Sequence, residues 1–357
     1  GPPGPPGPPG PNVLENGSVI APSLRFSSAP TSGMFSNAFG RVALADNGRF
    51  FLHHSGDRNV GLGVSALGSN TTGSSNTAVG NNALLNNVTG DKNAAFGERT
   101  LASNTTGEVN SAFGAGALFE NSEGSGNTAV GFISLVSNTT GSANTAVGAS
   151  AMQLSTTGSY NTAVGIGALA GANGENNVGI GNGAGTRVET GSNNIDISHF
   201  GIAGDNGTVR IGTPGTQLRT FIAGISGVTT GGTAVPVVID GAGQLGTVSS
   251  SRRYKEDIHD LGEVSRTLQQ LRPVTFRYKQ PAADGSQPLQ YGLIAEEVAE
   301  LDPNLVQVGA DGQVETVLYH LLPVLLVNEL QAQQRVIEKL KNQLVRLEEE
   351  LKTGARP

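Results

Sequence analysis

The sequence predicts a mainly β protein: a trimeric parallel β-solenoid or β-roll of 17-residue repeats, then a β-rich neck, then a small α+β domain ending in a trimeric coiled coil. Three observations predict it. Asparagine recurs at 59, 76, 93, 110, 127, 144 and 161, always 17 residues apart, with glycine four positions after each. Residues 1–249 carry 22 charged side chains and residues 250–357 carry 29, so charge density roughly triples at Ser250. After Pro323, the residues Leu326, Leu330, Ile337, Leu340, Leu344, Leu347 and Leu351 step by threes and fours, with Gln333 in the remaining slot.

Composition narrows the function. With 52 Gly and 17 Pro among 357 residues and 37% apolar content, a single compact core of this length is not expected. Without cysteine there are no disulfide scaffolds and no thiolate metal sites. No cofactor and no metal are expected. The five histidines are scattered, and the pair His53-His54 reads as linker rather than as an imidazole ring. A net charge of −7 argues against nucleic acid or anionic lipid as partner. No apolar run is long enough to span a membrane. Gly rather than Met at position 1 points to a processed chain or a fragment.

Residues 1–11 read GPPGPPGPPGP, the collagen pattern, because only Gly fits where three polyproline chains meet. Residues 12–56 are a linker or N-terminal β region. The rod spans 57–204. A larger apolar residue precedes each repeat glycine: Leu62, Val79, Phe96, Phe113, Val130, Val147 and Val164. Eight positions after each asparagine stands Leu67, Leu84, Leu101, Leu118, Leu135, Met152 or Leu169, and degenerate copies follow at Asn177 and Asn194. Seventeen residues are too few for a helical hairpin but fit one solenoid coil of two short strands and two turns, with Gly and Asn at left-handed corners. Ala and Val are adjacent in Asn-Thr-Ala-Val-Gly and so point to opposite faces. Both are apolar. One face fills the coil and the other needs sister chains, and nine coils make a rod of about 43 Å.

The unit Asn-Thr-Ala-Val-Gly-x-x-Ala-Leu resembles the head repeats of trimeric autotransporter adhesins and related phage fibres, whose usual repeat is shorter. That resemblance implies a trimeric parallel β-roll. The rod itself offers little chemistry: Asp91, Glu98, Glu108, Glu120 and Glu123 occupy different phases and build no carboxylate pair. Asn-Thr-Thr at 70, 104 and 138 reads as a turn before a glycosylation acceptor, and the threonines at 77, 128, 145 and 162 as strand formers before a binding face.

Residues 205–249 form the neck, with short strands at Val209–Gly212, Thr220–Gly224 and Ala234–Ile239, too Gly-rich to bury a core within one chain. The last domain spans 250–357. A helical spacing over Leu261–Leu271, an alternating strand at Val274–Lys279 and a short helix at Gly292–Leu301 precede the coiled coil at 324–352. Gln333 would be a buried polar residue fixing register.

This domain resembles the intramolecular chaperone domain of phage endosialidases and tail fibres, from Ser250-Ser251-Arg252-Arg253-Tyr254-Lys255 through Leu271-Arg272-Pro273-Val274 and Tyr291–Val298 to the terminal coiled coil. The resemblance implies a domain that drives trimeric folding and then cuts itself off by a Ser–Lys mechanism. It assigns Ser250 as nucleophile, Lys255 as base and Ser249–Ser250 as the scissile bond, with Ser249 and Ser251 leaving neighbouring bonds open. The chemistry is sound: a serine hydroxyl needs a base, and a lysine serves only when burial or nearby positive charge, here Arg252 and Arg253, lowers its pKa. Glu296 and Glu297 are candidates to contact the site. The expectation is an extracellular homotrimeric fibre on a phage tail or bacterial surface, with sister chains and a host-surface glycan or protein receptor as partners. The only activity expected is self-cleavage. The alternatives are a polysaccharide-depolymerising tailspike and a passive spacer.

Overall fold

The computed structural model describes residues 24–26, 29–36, 42–46, 49–53, 57–225, 227–282, 284–309 and 311–354. The collagen-pattern residues 1–11 and His54 lie outside the described residues. The chain divides into two compact units, 1–222 and 223–357.

The first unit opens with antiparallel strands β1 (Leu24–Phe26), β2 (Ala29–Ser36), β3 (Val42–Asp46) and β4 (Arg49–His53). β4 pairs antiparallel with β5 (Val60–Leu62), and from there the sheet is parallel. Strands β6 (Thr77–Val79), β7 (Ala94–Phe96), β8 (Ser111–Phe113), β9 (Thr128–Val130), β10 (Thr145–Val147), β11 (Thr162–Val164), β12 (Val178–Ile180), β13 (Ile195–Ile197) and β14 (Val209–Ile211) follow. Each repeat contributes one three-residue strand and returns through turns, rather than through a second strand as expected. Equivalent residues stand opposite one another, as Thr145, Ala146 and Val147 do with Thr162, Ala163 and Val164. The molecule is thus mainly β, with a parallel solenoid of about nine turns as its largest part.

Stacking turns the repeat into columns. The middle strand residue points inward: Ala78, Ala95, Ala112, Ala129, Ala146 and Ala163 are fully buried. Beside them runs the buried column Leu67, Leu84, Leu101, Leu118, Leu135, Met152 and Leu169. Each large side chain contributes about 1.5–3 kcal/mol through burial. These residues adopt left-handed backbone, with φ of 51° at Leu67 and 47° at Leu169, a conformation costing roughly 1–2 kcal/mol outside glycine. The anchor asparagines do not take the left-handed corners expected of them. They are buried, and each side chain bridges coils: the Asn76 amide donates to Gly90 O at 2.8 Å, while its Oδ1 accepts from Asn93 N–H at 2.8 Å. Gly114 shows why glycine follows each strand. Its φ is 137°, and an added methyl would collide with the Gly131 carbonyl in the next coil.

The second unit begins with exposed chain and a two-residue hairpin, β15 (Val238–Ile239) with β16 (Leu245–Gly246). A single 3-10 turn spans Arg252–Tyr254, and a seven-residue 3-10 helix spans Val264–Gln270. β17 (Val274–Phe276) pairs with β18 (Gln290–Gly292), α1 (Ala295–Leu301) follows, and β19 (Val306–Val308) pairs with β20 (Val314–Val317). The last element is the 33-residue helix α2 (Leu322–Gly354). Val298, Leu305, Val306, Val317 and Leu325 form a small core that holds only the start of α2.

Candidate functional site

Ser250 lies two residues before the 3-10 turn Arg252–Tyr254, and Lys255 closes it, its amide donating to Arg252 O at 3.1 Å. The turn brackets the two side chains closely in sequence. Around them Ser251 N–H donates to Ser249 Oγ at 3.4 Å, and the Arg253 guanidinium lies 5.0 Å from the Tyr254 ring centre. Ser249, Ser250, Ser251, Arg252, Arg253 and Lys255 are all exposed. Among the described residues no hydrogen bond joins Ser250 to Lys255. A single chain therefore supplies the two groups but not the enclosure in which a lysine amine can act as a base.

Glu297 is occupied elsewhere. Its carboxylate is held by both Nε and Nη2 of Arg272, and the Arg272 hydrogen bond keeps its pKa below the ordinary value. This pair ties α1 to the segment before β17. A second polar cluster anchors α2. Glu329 accepts from Ser265 Oγ at 3.2 Å, from Gln269 Nε2 and from Gln333 Nε2 at 3.0 Å, and these bonds hold its pKa down, the Gln269 bond most. Asn328 donates to Gly262 O and Ser265 Oγ, both at 2.8 Å. Gln333, expected as a buried polar residue of the seam, is exposed in the single chain and turns its amide to Glu329. Beyond this anchor, Leu330, Ile337, Leu340, Leu344, Leu347 and Leu351 lie exposed along α2.

Residues 250–307 match the family model described as chaperone of endosialidase. No curated protein and no solved structure matches the chain. The matched segment holds Ser250, Lys255, Arg272 and Glu297. Such a chaperone domain following a β-solenoid fits a tail-fibre-type protein.

In the solenoid, Asn104 and Asn138 of the Asn-Thr-Thr motifs are fully buried, which withdraws their amides from modification. They belong to a second ladder, in which the Asn104 amide donates to Asn87 Oδ1 at 2.7 Å and Asn138 to Asn121 Oδ1 at 2.7 Å. Sequence reading missed a cluster at the end of the rod. Asp196 interrupts the inward alanine column, His199 stands beside it, and Asp205 grips Arg210 through bonds of 2.7 and 2.8 Å. A charge in an otherwise alanine or glycine column was the available signal.

Proposed function

We propose that three copies of this chain form an extracellular fibre, whose C-terminal domain brings the copies into register and then releases itself at Ser249–Ser250. The observation that supports it best is the bare seam of α2, where Leu330 is 70% and Leu351 72% exposed. A seam of this spacing is satisfied by copies of itself. The neck points the same way: Leu218, Phe221, Ile222, Val235 and Val237 are exposed, Phe221 to 87%. On the solenoid, the outward strand positions from Val60 and Leu62 to Ile195 and Ile197 carry no charged residue in nine coils, a face suited to sister chains.

The chemistry follows from the order of the residues. Ser250 Oγ attacks the Ser249 carbonyl carbon as Lys255 Nζ takes the hydroxyl proton. An ester forms between Ser249 and Ser250 Oγ while the C–N bond breaks. The proton passes to the freed amine of Ser250, and water then hydrolyses the ester. Lysine performs this role only as a neutral amine, and assembly supplies the burial that makes it so. Cleavage therefore waits on a completed trimer. Ser250→Ala should leave every chain at 357 residues, and Lys255→Met should do the same, both read by intact mass. Release of the 108-residue fragment 250–357 from Ser250→Ala would overturn the assignment.

A further inference from the structure

The inward position of each strand is alanine from β6 to β11, glycine at Gly179 in β12, and then Asp196 in β13. Asp196 is 1% exposed, and among the described residues neither carboxyl oxygen has a hydrogen-bond partner. His199 Nδ1 lies 3.6 Å from Oδ1, beyond hydrogen-bond reach. That nitrogen accepts the Gly201 N–H at 2.8 Å and is engaged there rather than with Asp196. Arg210 stands opposite Asp196 in β14, but its guanidinium is taken by Asp205. From the coil beneath, Gly179 faces Asp196 across the sheet, and the Gly185 and Gly201 backbones close on it. A methyl group at either glycine would press on Asp196 and on Leu169 or Val188.

We propose that Asp196, with His199 beside it, is a proton-operated latch on the last coils of the solenoid: the coils stay closed while the carboxyl keeps its proton, and β12 to β14 loosen when that proton passes to solvent. A neutral carboxyl tolerates this niche far better than a carboxylate without a donor. Burial pushes the acid above its ordinary 3.8, with His199 and Arg210 opposing and Asp205 reinforcing. The sign follows from linkage. A carboxyl whose folded pKa is raised takes up protons on folding, so it costs nothing below its unfolded value and removes stability as pH rises through the folded one. Asp205 is held below 3.8, chiefly by its hydrogen bond to Arg210, and stays charged across this window.

Hydrogen–deuterium exchange of the full chain, corrected for intrinsic rates, reads the latch at the Ile195, Ser198 and Gly212 amides, which bond to Thr208, Ile180 and Ile197 carbonyls. Between about pH 4 and about pH 8 their protection should fall, by close to tenfold for each unit by which the folded pKa exceeds about 4. The Thr128 and Thr145 amides in mid-rod should not change. Asp196→Asn should abolish the fall while keeping the shape of the side chain. Asp196→Ala, which restores the alanine column, serves as the second variant. A fall that persists unchanged in both variants, or a wild-type chain with equal protection at the two pH values, would overturn the latch.

Discussion

At the residue scale, the rod depends on buried amides as much as on its leucines. Asn104 gives its amide to Asn87 Oδ1 and Gly107 O, and its Oδ1 accepts from Asn121. The ladder stops at Asn138, whose Oδ1 has no partner among the described residues because Ser155 stands where the next asparagine would. An interior rung should therefore be far less replaceable than its size suggests. Asn104→Ala strands two buried groups and should lower unfolding free energy by about 3 kcal/mol. Asn104→Asp should cost more, since it removes both donors and adds a buried charge. Denaturant unfolding checks the order, and an aspartate variant as stable as the alanine one would refute it. The sequence announced these positions by period, but not their role. Asparagine is common in turns, and only stacking reveals that the amides face inward. The left-handed leucines were equally hidden, since leucine by itself disfavours that backbone.

At the element scale, the start and the rest of α2 are stabilised differently. Leu325 and Glu329 tie its first turns to the 3-10 helix Val264–Gln270, while the later leucines lie exposed along the helix. The three-and-four spacing made the seam legible beforehand, because helix periodicity is local. The Gln333–Glu329 bond was not legible, since it depends on how Glu329 is already held by the 3-10 helix. Replacing Leu340 and Leu344 together by Gln should leave the small core around Val298 intact, as neither belongs to it. It removes about 2 kcal/mol of potential burial for each leucine in each copy. On the proposed reading, light scattering should then report the mass of one chain instead of three, and the 108-residue fragment should cease to appear. Undiminished trimer mass would remove α2 as the assembling element.

At the scale of the whole molecule, a rod of equivalent coils should tolerate the loss of a whole period and no other loss of similar size. Deleting residues 127–143 joins Gly126 to Asn144, so every column continues, and the segment carries no charged residue. The anchor Asn110 would meet Asn144 instead of Asn127. The unpaired end of the second ladder would pass from Asn138 to Asn121, leaving the number of orphaned oxygens unchanged. The sheet should lose one strand and about 4.8 Å of length. Because each coil interacts chiefly with its neighbours, the melting temperature should shift by only a few degrees, about what the loss of one unit among many implies. Deleting residues 135–143 instead joins Ser134 to Asn144, sets buried columns against turns and should give aggregated protein. Circular dichroism melts and scattering mass distinguish the two, and equal tolerance of both deletions would show that the columns do not carry the stability. On the proposed reading the same tolerance is a hazard during assembly: copies displaced by 17 residues would still match coil to coil. On that reading the near-identity of the coils leaves alignment to a segment outside the repeat, which is the task proposed here for residues 250–357.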